Sequence, residues 1–185
     1  RRDIARAGVL FLLCVLVYEF SSGAHAYSVD EVTNYASARA LVESGRPDLR
    51  YEHPFPPEQL LTATHPEAGR LTGRYGLLSW LPMVPLYALA SATGPGPEPP
   101  GPVFPQPSQV LPLVVLLYNP IVAALLVALT FLLGRELGLR PGYAVAAALI
   151  LAFGSPLWVY AKTLANMPAA TAFAVAALLA AARAR

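Results

Sequence analysis

The chain has 185 residues, 56% of them hydrophobic and 13% charged, with a formal net charge of +2. Soluble domains carry about 25% charged residues. Here the charges sit in short stretches between long uncharged runs, which predicts an integral membrane protein. The small net charge by itself says nothing about nucleic acid, but the chain has no run of basic residues of the kind a phosphate-backbone binder needs, so no nucleic acid partner is expected.

Cys14 is the only cysteine and lies in an apolar run, which rules out a disulfide within the chain and a cysteine metal site. The start at Arg1 without a methionine, and an end close behind an apolar block, predict a piece of a longer protein. Lys162 is the only lysine among many arginines, a bias that reads as genomic.

Arg1, Arg2 and Arg6 precede the apolar run Ala7–Phe20. With Ile4 and Ala5 it predicts a first transmembrane helix over 4–20, tilted or in a locally thinned bilayer. The rival reading is a secretory signal peptide, because Ala24-His25-Ala26 matches an A-x-A cleavage site. The apolar blocks further on favour the span.

Residues 21–109 form a long polar stretch with eight of the eleven acidic residues and all three histidines, His25, His53 and His65. Ser28-Val29-Asp30-Glu31 fits S-x-x-E, a capping box. Val32, Tyr35, Ala36 and Val42 then fall roughly on one helical face. Ser44-Gly45 with Arg46-Pro47 is a stop signal. The pattern predicts an amphipathic helix over 30–43 lying on the membrane surface. An acidic pair just past a first membrane helix faces water, where a carboxylate stays ionised and serves as a base or binds a cation. The plain alternative is that Asp30 and Glu31 cap this helix and complement its dipole. The two roles are compatible, since a capped carboxylate is also a rigidly held one.

Tyr51–Pro57 is extended and stiffened by proline. His53 and His65 with Glu52 or Glu67 are metal-ligand types, but their spacing is not diagnostic, and surface histidines are the simpler reading. The residues call for no particular cofactor, and they are compatible with a divalent cation. Residues 75–92 are nearly long enough to span, but Pro82 and Pro85 interrupt them. Thr93–Gln109, with seven prolines and three glycines, predicts a stiff non-helical linker.

Val110–Leu133 holds 24 residues without a charge and predicts a second span, 110–133, with Asn119-Pro120 in its first half. An asparagine within a span is costly unless partnered; beside a proline it can satisfy freed backbone groups. Gly134–Gly142 is a short turn carrying Arg135 and Arg140. A third span follows over 143–161, with Trp158 and Tyr160 placed as an interfacial belt. The alanine-rich stretch 168–182 predicts a fourth span running into Arg183 and Arg185.

Arginine placement decides what 75–92 is. If it spans, Arg135 and Arg140 fall outside. If it stays on the outer surface, the clusters at Arg1–Arg6, Arg135–Arg140 and Arg183–Arg185 all lie inside, with Asp30, Glu31, Arg74 and Lys162 outside. The second arrangement obeys the positive-inside rule at every short loop. The expected fold class is therefore all-α integral membrane. A single membrane domain has four spans and a long extracytoplasmic loop over 21–109, with juxtamembrane helices at 30–43 and 75–92. Its outer face gathers Asp30 and Glu31 with Arg39, Arg74 and Lys162. A lipid-linked phosphate needs such cations, and group transfer needs a base. The plain reading of Arg74 and Lys162 is that each is a snorkelling anchor at a helix end.

Four motifs in this order carry a resemblance. The first is Asp30-Glu31 in the first outer loop, followed by Tyr35 and by Ala-Arg-Ala-Leu-Val-Glu-Ser-Gly over Ala38–Gly45. The second is Gly73-Arg74-Tyr75-Gly76-Leu77-Leu78 leading to Leu81-Pro82 and Pro85-Leu86-Tyr87. The third is Asn119-Pro120 opening a span that ends in Gly134-Arg135-Glu136-Leu137-Gly138, and the fourth is Ala161-Lys162-Thr163 at an outer helix end. The pattern resembles the N-terminal part of the GT-C superfamily of membrane glycosyltransferases, near the protein mannosyltransferase and aminoarabinose transferase type (glycosyltransferase family 39). The resemblance runs over nearly the whole chain. It implies inverting transfer of a sugar from a polyprenyl-phosphate donor to a lipid, glycan or protein acceptor, on the outer side of the plasma (inner) membrane. It puts the base on Asp30, with Glu31 in support, and substrate binding on Arg39, Arg74, Tyr75 and Lys162. The family expects Ser-Glu-Pro after Ala-Lys-Thr, and here Asn166-Met167-Pro168 stands without a carboxylate. A non-catalytic multi-pass module, part of a transporter or an assembly subunit, is the alternative from another class.

Overall fold

A computed structural model describes residues 1–22, 29–49, 62–65, 70–73, 76–93, 110–163 and 166–184. The protein is mostly helical. Among the described residues two helices, Arg2–Ser21 and Leu117–Glu136, are long and apolar enough to cross a membrane. Contacts divide the chain into two compact units, Arg1–Gly23 with Asn119–Arg185 and Ala24–Tyr118, where the sequence pattern predicts one membrane domain. The second unit covers nearly the same ground as the predicted polar loop.

The first unit is built on α1 (Arg2–Ser21), the larger part of α5 (Val110–Glu136), α6 (Pro141–Phe153), the single-turn α7 (Leu157–Tyr160) and α8 (Met167–Arg183). In α1, Ala7, Leu10, Cys14 and Tyr18 repeat every three or four positions and form a buried stripe. Ala144, Ala148 and Ala152 of α6 repeat every four positions, and these small side chains let backbones approach closely. Both stripes join Ala123, Ala124, Val127 and Phe131 of α5 in one core. The Tyr18 hydroxyl donates to the Ala152 carbonyl at 3.1 Å, tying the end of α1 to the end of α6. Val9, Leu12, Leu16 and Phe20 point out of the unit, and Phe20 is 90% exposed. A helix apolar on its outward face as well as its inward one suits lipid better than water.

Ends of this unit differ in chemistry. At one end Arg135 Nε donates to Asp3 Oδ2 at 2.9 Å, Arg6 reaches Asp3 Oδ1 at 3.1 Å, and Arg183 reaches Glu136 Oε2 at 3.4 Å. The starts of α1 and α6 and the ends of α5 and α8 therefore lie together, so consecutive long helices run in alternating directions. At the other end Trp158 Nε1 donates to Ser21 Oγ at 3.3 Å and packs edge-on against Phe153 at 5.4 Å.

The predicted third span, 143–161, is not one continuous helix. It breaks into α6 and α7 at Gly154-Ser155-Pro156. Pro156 has no amide hydrogen to continue the ladder. A side chain on Gly154 would meet the Ile150 carbonyl at 2.9 Å. Ser155 stitches the break, donating from Oγ to the Leu151 carbonyl at 2.6 Å and accepting from the Leu157 amide at 3.1 Å.

The second unit is organised around α2 (Val29–Ser44). It packs against strand β2 (Arg70–Gly73), α3 (Leu77–Trp80), a 3₁₀ turn (Leu81–Met83) and α4 (Val84–Thr93). The predicted 30–43 helix is present, but it is not amphipathic. Every position from Thr33 to Ala40 is buried, polar and apolar alike. Small residues on all sides (Ala36, Ser37, Ala38, Ala40) let neighbours close around it. The predicted 75–92 helix is divided by Pro82 and Pro85 into α3, the 3₁₀ turn and α4. It buries Trp80, Met83, Tyr87 and Ala90 at helical spacing and exposes Leu77, Leu78, Leu81 and Leu89.

β1 (Thr62–His65) pairs antiparallel with β2, from Thr62 opposite Gly73 to His65 opposite Arg70. The sequence pattern does not predict this hairpin, since strands of four residues are too short for alternation to register.

Candidate functional site

Asp30 and Glu31 occupy the first turn of α2, where carboxylates complement the positive end of the helix. Glu31 is buried and partnered. Asn34 lies one turn on, 1% exposed, and neither its amide oxygen nor its nitrogen has a hydrogen-bond partner. Buried amides are rarely left so, because an unmade bond costs about 1–3 kcal/mol.

Arg39 lies about 12 Å further along the helix axis than Glu31. Its Nε donates to Glu43 Oε2 at 2.9 Å, and its side chain is 8% exposed. The Tyr87 hydroxyl donates to the other Glu43 oxygen, and the Tyr87 ring meets the Tyr35 ring edge-on at 5.5 Å. Glu43 is thus shared between Arg39 on its own helix and Tyr87 on α4, while it stays exposed on its outer side. Within the same unit a cleft of about 200 Å³ is lined by Ser37, Pro47, Thr72, Gly73, Leu77 and Trp80. Gly73 permits this arrangement. A Cβ there would stand 2.7 Å from Ser37 Oγ and 3.3 Å from Thr33 Cγ2, so with a side chain at that point Ser37 would have to shift for β2 to lie this close to α2.

Lys162 belongs to the other unit. Its Nζ sits 5.9 Å from the centroid of the Trp158 ring, and it is half-buried. Next to it Thr163 Oγ1 donates to the Tyr160 carbonyl at 3.2 Å. Asn119 also serves that carbonyl, donating from Nδ2 at 3.0 Å. The buried amide therefore satisfies a backbone group of α7.

α2 brings Asp30, Glu31 and Arg39 onto one element. Arg74 and Tyr75 lie outside the described residues, as do Ser28, Ala24-His25-Ala26, His53 with Glu52, Glu67 and the 94–109 linker. No group of three or more His, Cys, Asp or Glu side chains converges among the described residues. Glu43, Tyr87, Asn34 and the Gly73–Ser37 contact were not singled out from sequence. Arg39 and Glu43 stand at i, i+4 spacing, which was the one available signal. Tyr87 is 44 positions from its partner, beyond any local pattern. Comparison with protein family models, with curated proteins and with solved structures finds no match to this chain.

Proposed function

We propose that this chain is the N-terminal part of a membrane glycosyltransferase of the inner membrane, working on its outer face. It moves a sugar from a polyprenyl-phosphate donor to a lipid, glycan or protein acceptor. Asp30 takes the proton from an acceptor hydroxyl. The hydroxyl oxygen bonds to the anomeric carbon as the bond from that carbon to the phosphate oxygen breaks, and the polyprenyl phosphate leaves. Glu31 supports Asp30, and Arg39, Arg74, Tyr75 and Lys162 hold the donor and offset the charge of its phosphate. One observation supports the reading: α1 ends opposite the arginine-bearing end of its own unit, and the acidic pair that opens α2 follows soon after it in the chain. Transfer of labelled sugar from polyprenyl phosphate in membranes containing the protein tests it.

Four spans go with this proposal: α1, α5, α6 with α7, and α8. Twenty residues of α1 rise about 30 Å and seventeen of α8 about 26 Å, enough for a bilayer core with slight thinning. Alternating helix directions support the assignment. In a Cys14→Ala background, cysteines introduced at Pro99 and at the exposed Met167 are expected to react with an impermeant thiol reagent from outside, and one at Gly138 is not. Outside labelling at Gly138 would sink the four-span arrangement.

Lys162→Ala is expected to raise the donor KM with little change in kcat, if its contact is equal in ground and transition states. Unchanged donor affinity would return Lys162 to the role of an anchor resting on Trp158 at the helix end.

A non-catalytic membrane module is the second reading. The Arg39–Glu43 pair favours it, because that bond gives both groups a structural role. Absence of transfer in the labelled-sugar assay is the outcome it requires.

A further inference from the structure

The arginine end of the first unit has a charge excess that its own acids do not absorb. Arg1, Arg2, Arg6, Arg135, Arg140 and Arg183 stand there against Asp3 and Glu136. Both carboxylates are already engaged: Asp3 lies between Arg135 at 2.9 Å and Arg6 at 3.1 Å, and Glu136 is held by Arg183. These bonds fasten helix ends together. Arg1, Arg2 and Arg140 are exposed and have no ion pair among the described residues. Exposed apolar side chains come close behind this charged rim, with Ile4 68%, Leu137 69% and Tyr143 67% exposed. A cationic rim directly over an apolar belt matches the layering of a bilayer leaflet, phosphates above hydrocarbon.

We propose that this end seats on an anionic leaflet and holds phospholipid head-group phosphates with Arg1, Arg2 and Arg140. Guanidinium forks suit phosphate better than ammonium groups do, because two parallel N–H groups meet two oxygens. Arg6, Arg135 and Arg183 stay committed to the clamps. The inference rests on the membrane reading above and not on the sugar-transfer reading.

The test uses the whole chain in two steps. Co-flotation with vesicles of neutral lipid, and with vesicles of mixed neutral and anionic phospholipid, reports membrane insertion alone. Lipid retained by the purified protein after mild delipidation, compared with the bulk mixture, reports head-group selection. Wild type is expected to float with both vesicle types and to retain anionic lipid well above its bulk fraction. The Arg1→Gln/Arg2→Gln/Arg140→Gln variant should float equally well and lose the enrichment, by roughly fivefold for each arginine near the surface. Equal enrichment in wild type and variant overturns the proposal. So does displacement of the retained lipid by inorganic phosphate, which would mark a site for soluble anions. Failure to float with either vesicle type overturns the membrane reading and this proposal with it, while loss of sugar transfer alone leaves both standing.

Discussion

Asp30→Asn is expected to lower sugar transfer by about 10² to 10⁴ while expression and thermal stability stay near wild type. The substitution keeps size, and losing a first-turn carboxylate's interaction with the helix dipole costs only about 0.3–1 kcal/mol. What it removes is the charge and the proton acceptor. Asp30 lies in the first turn of α2, so a helix-supporting role and a catalytic role make opposite predictions for this change. If the carboxylate only supports the helix, Asn is nearly silent in transfer. Ser28→Ala is the companion, expected to cost about 1 kcal/mol of helix stability and to spare the chemistry. Transfer near wild-type level in Asp30→Asn would remove the base assignment.

Gly73→Ala is the second large effect, and it concerns folding. The added methyl would stand 2.7 Å from Ser37 Oγ, a distance no relaxed contact has. Overpacking of this kind costs about 1–3 kcal/mol, read here as a lower thermal midpoint of the solubilised protein. Ser37 Oγ donates to the Thr33 carbonyl within α2 at 2.9 Å, a bond that adds little to helix stability. Ser37→Ala alone should therefore be mild. In combination it should rescue most of the Gly73→Ala loss, a coupling that a double-mutant cycle measures. Strictly additive effects would show that strand and helix do not meet there.

The long elements were legible because their signal is local. An uncharged run of 24 residues, Val110–Leu133, leaves little choice, and α5 occupies it. The basic start of α1 and the arginine turn before α6 were visible for the same reason. The break at Gly154-Ser155-Pro156 was written in the sequence but hidden inside an apolar run, where charge counting registers nothing. α2 shows a different limit. Capping and stop signals placed its ends well, yet its burial depends on β2 and α4, which lie far away in sequence and enclose its polar side as well. Periodicity around Val32, Tyr35 and Ala36 therefore suggested a free polar face that the fold does not leave. For the site, Asp30 and Glu31 were readable as an acidic helix start. Arg39 was readable as a cation, while its bond to Glu43, and the sharing of Glu43 with Tyr87, needed the folded geometry.

Glu43 spends one oxygen on its own helix, through Arg39, and the other on α4, through Tyr87. A carboxylate spans little more than 2 Å between its oxygens, so it acts as a short, stiff ruler between the two helices. Sliding one helix past the other by a single turn, about 5.4 Å, would break the bond to Tyr87 and part the Tyr35–Tyr87 ring contact in the same step. The relative register of α2 and α4 is therefore a two-way choice, locked or released, with no intermediate offset that keeps both the bond and the ring contact.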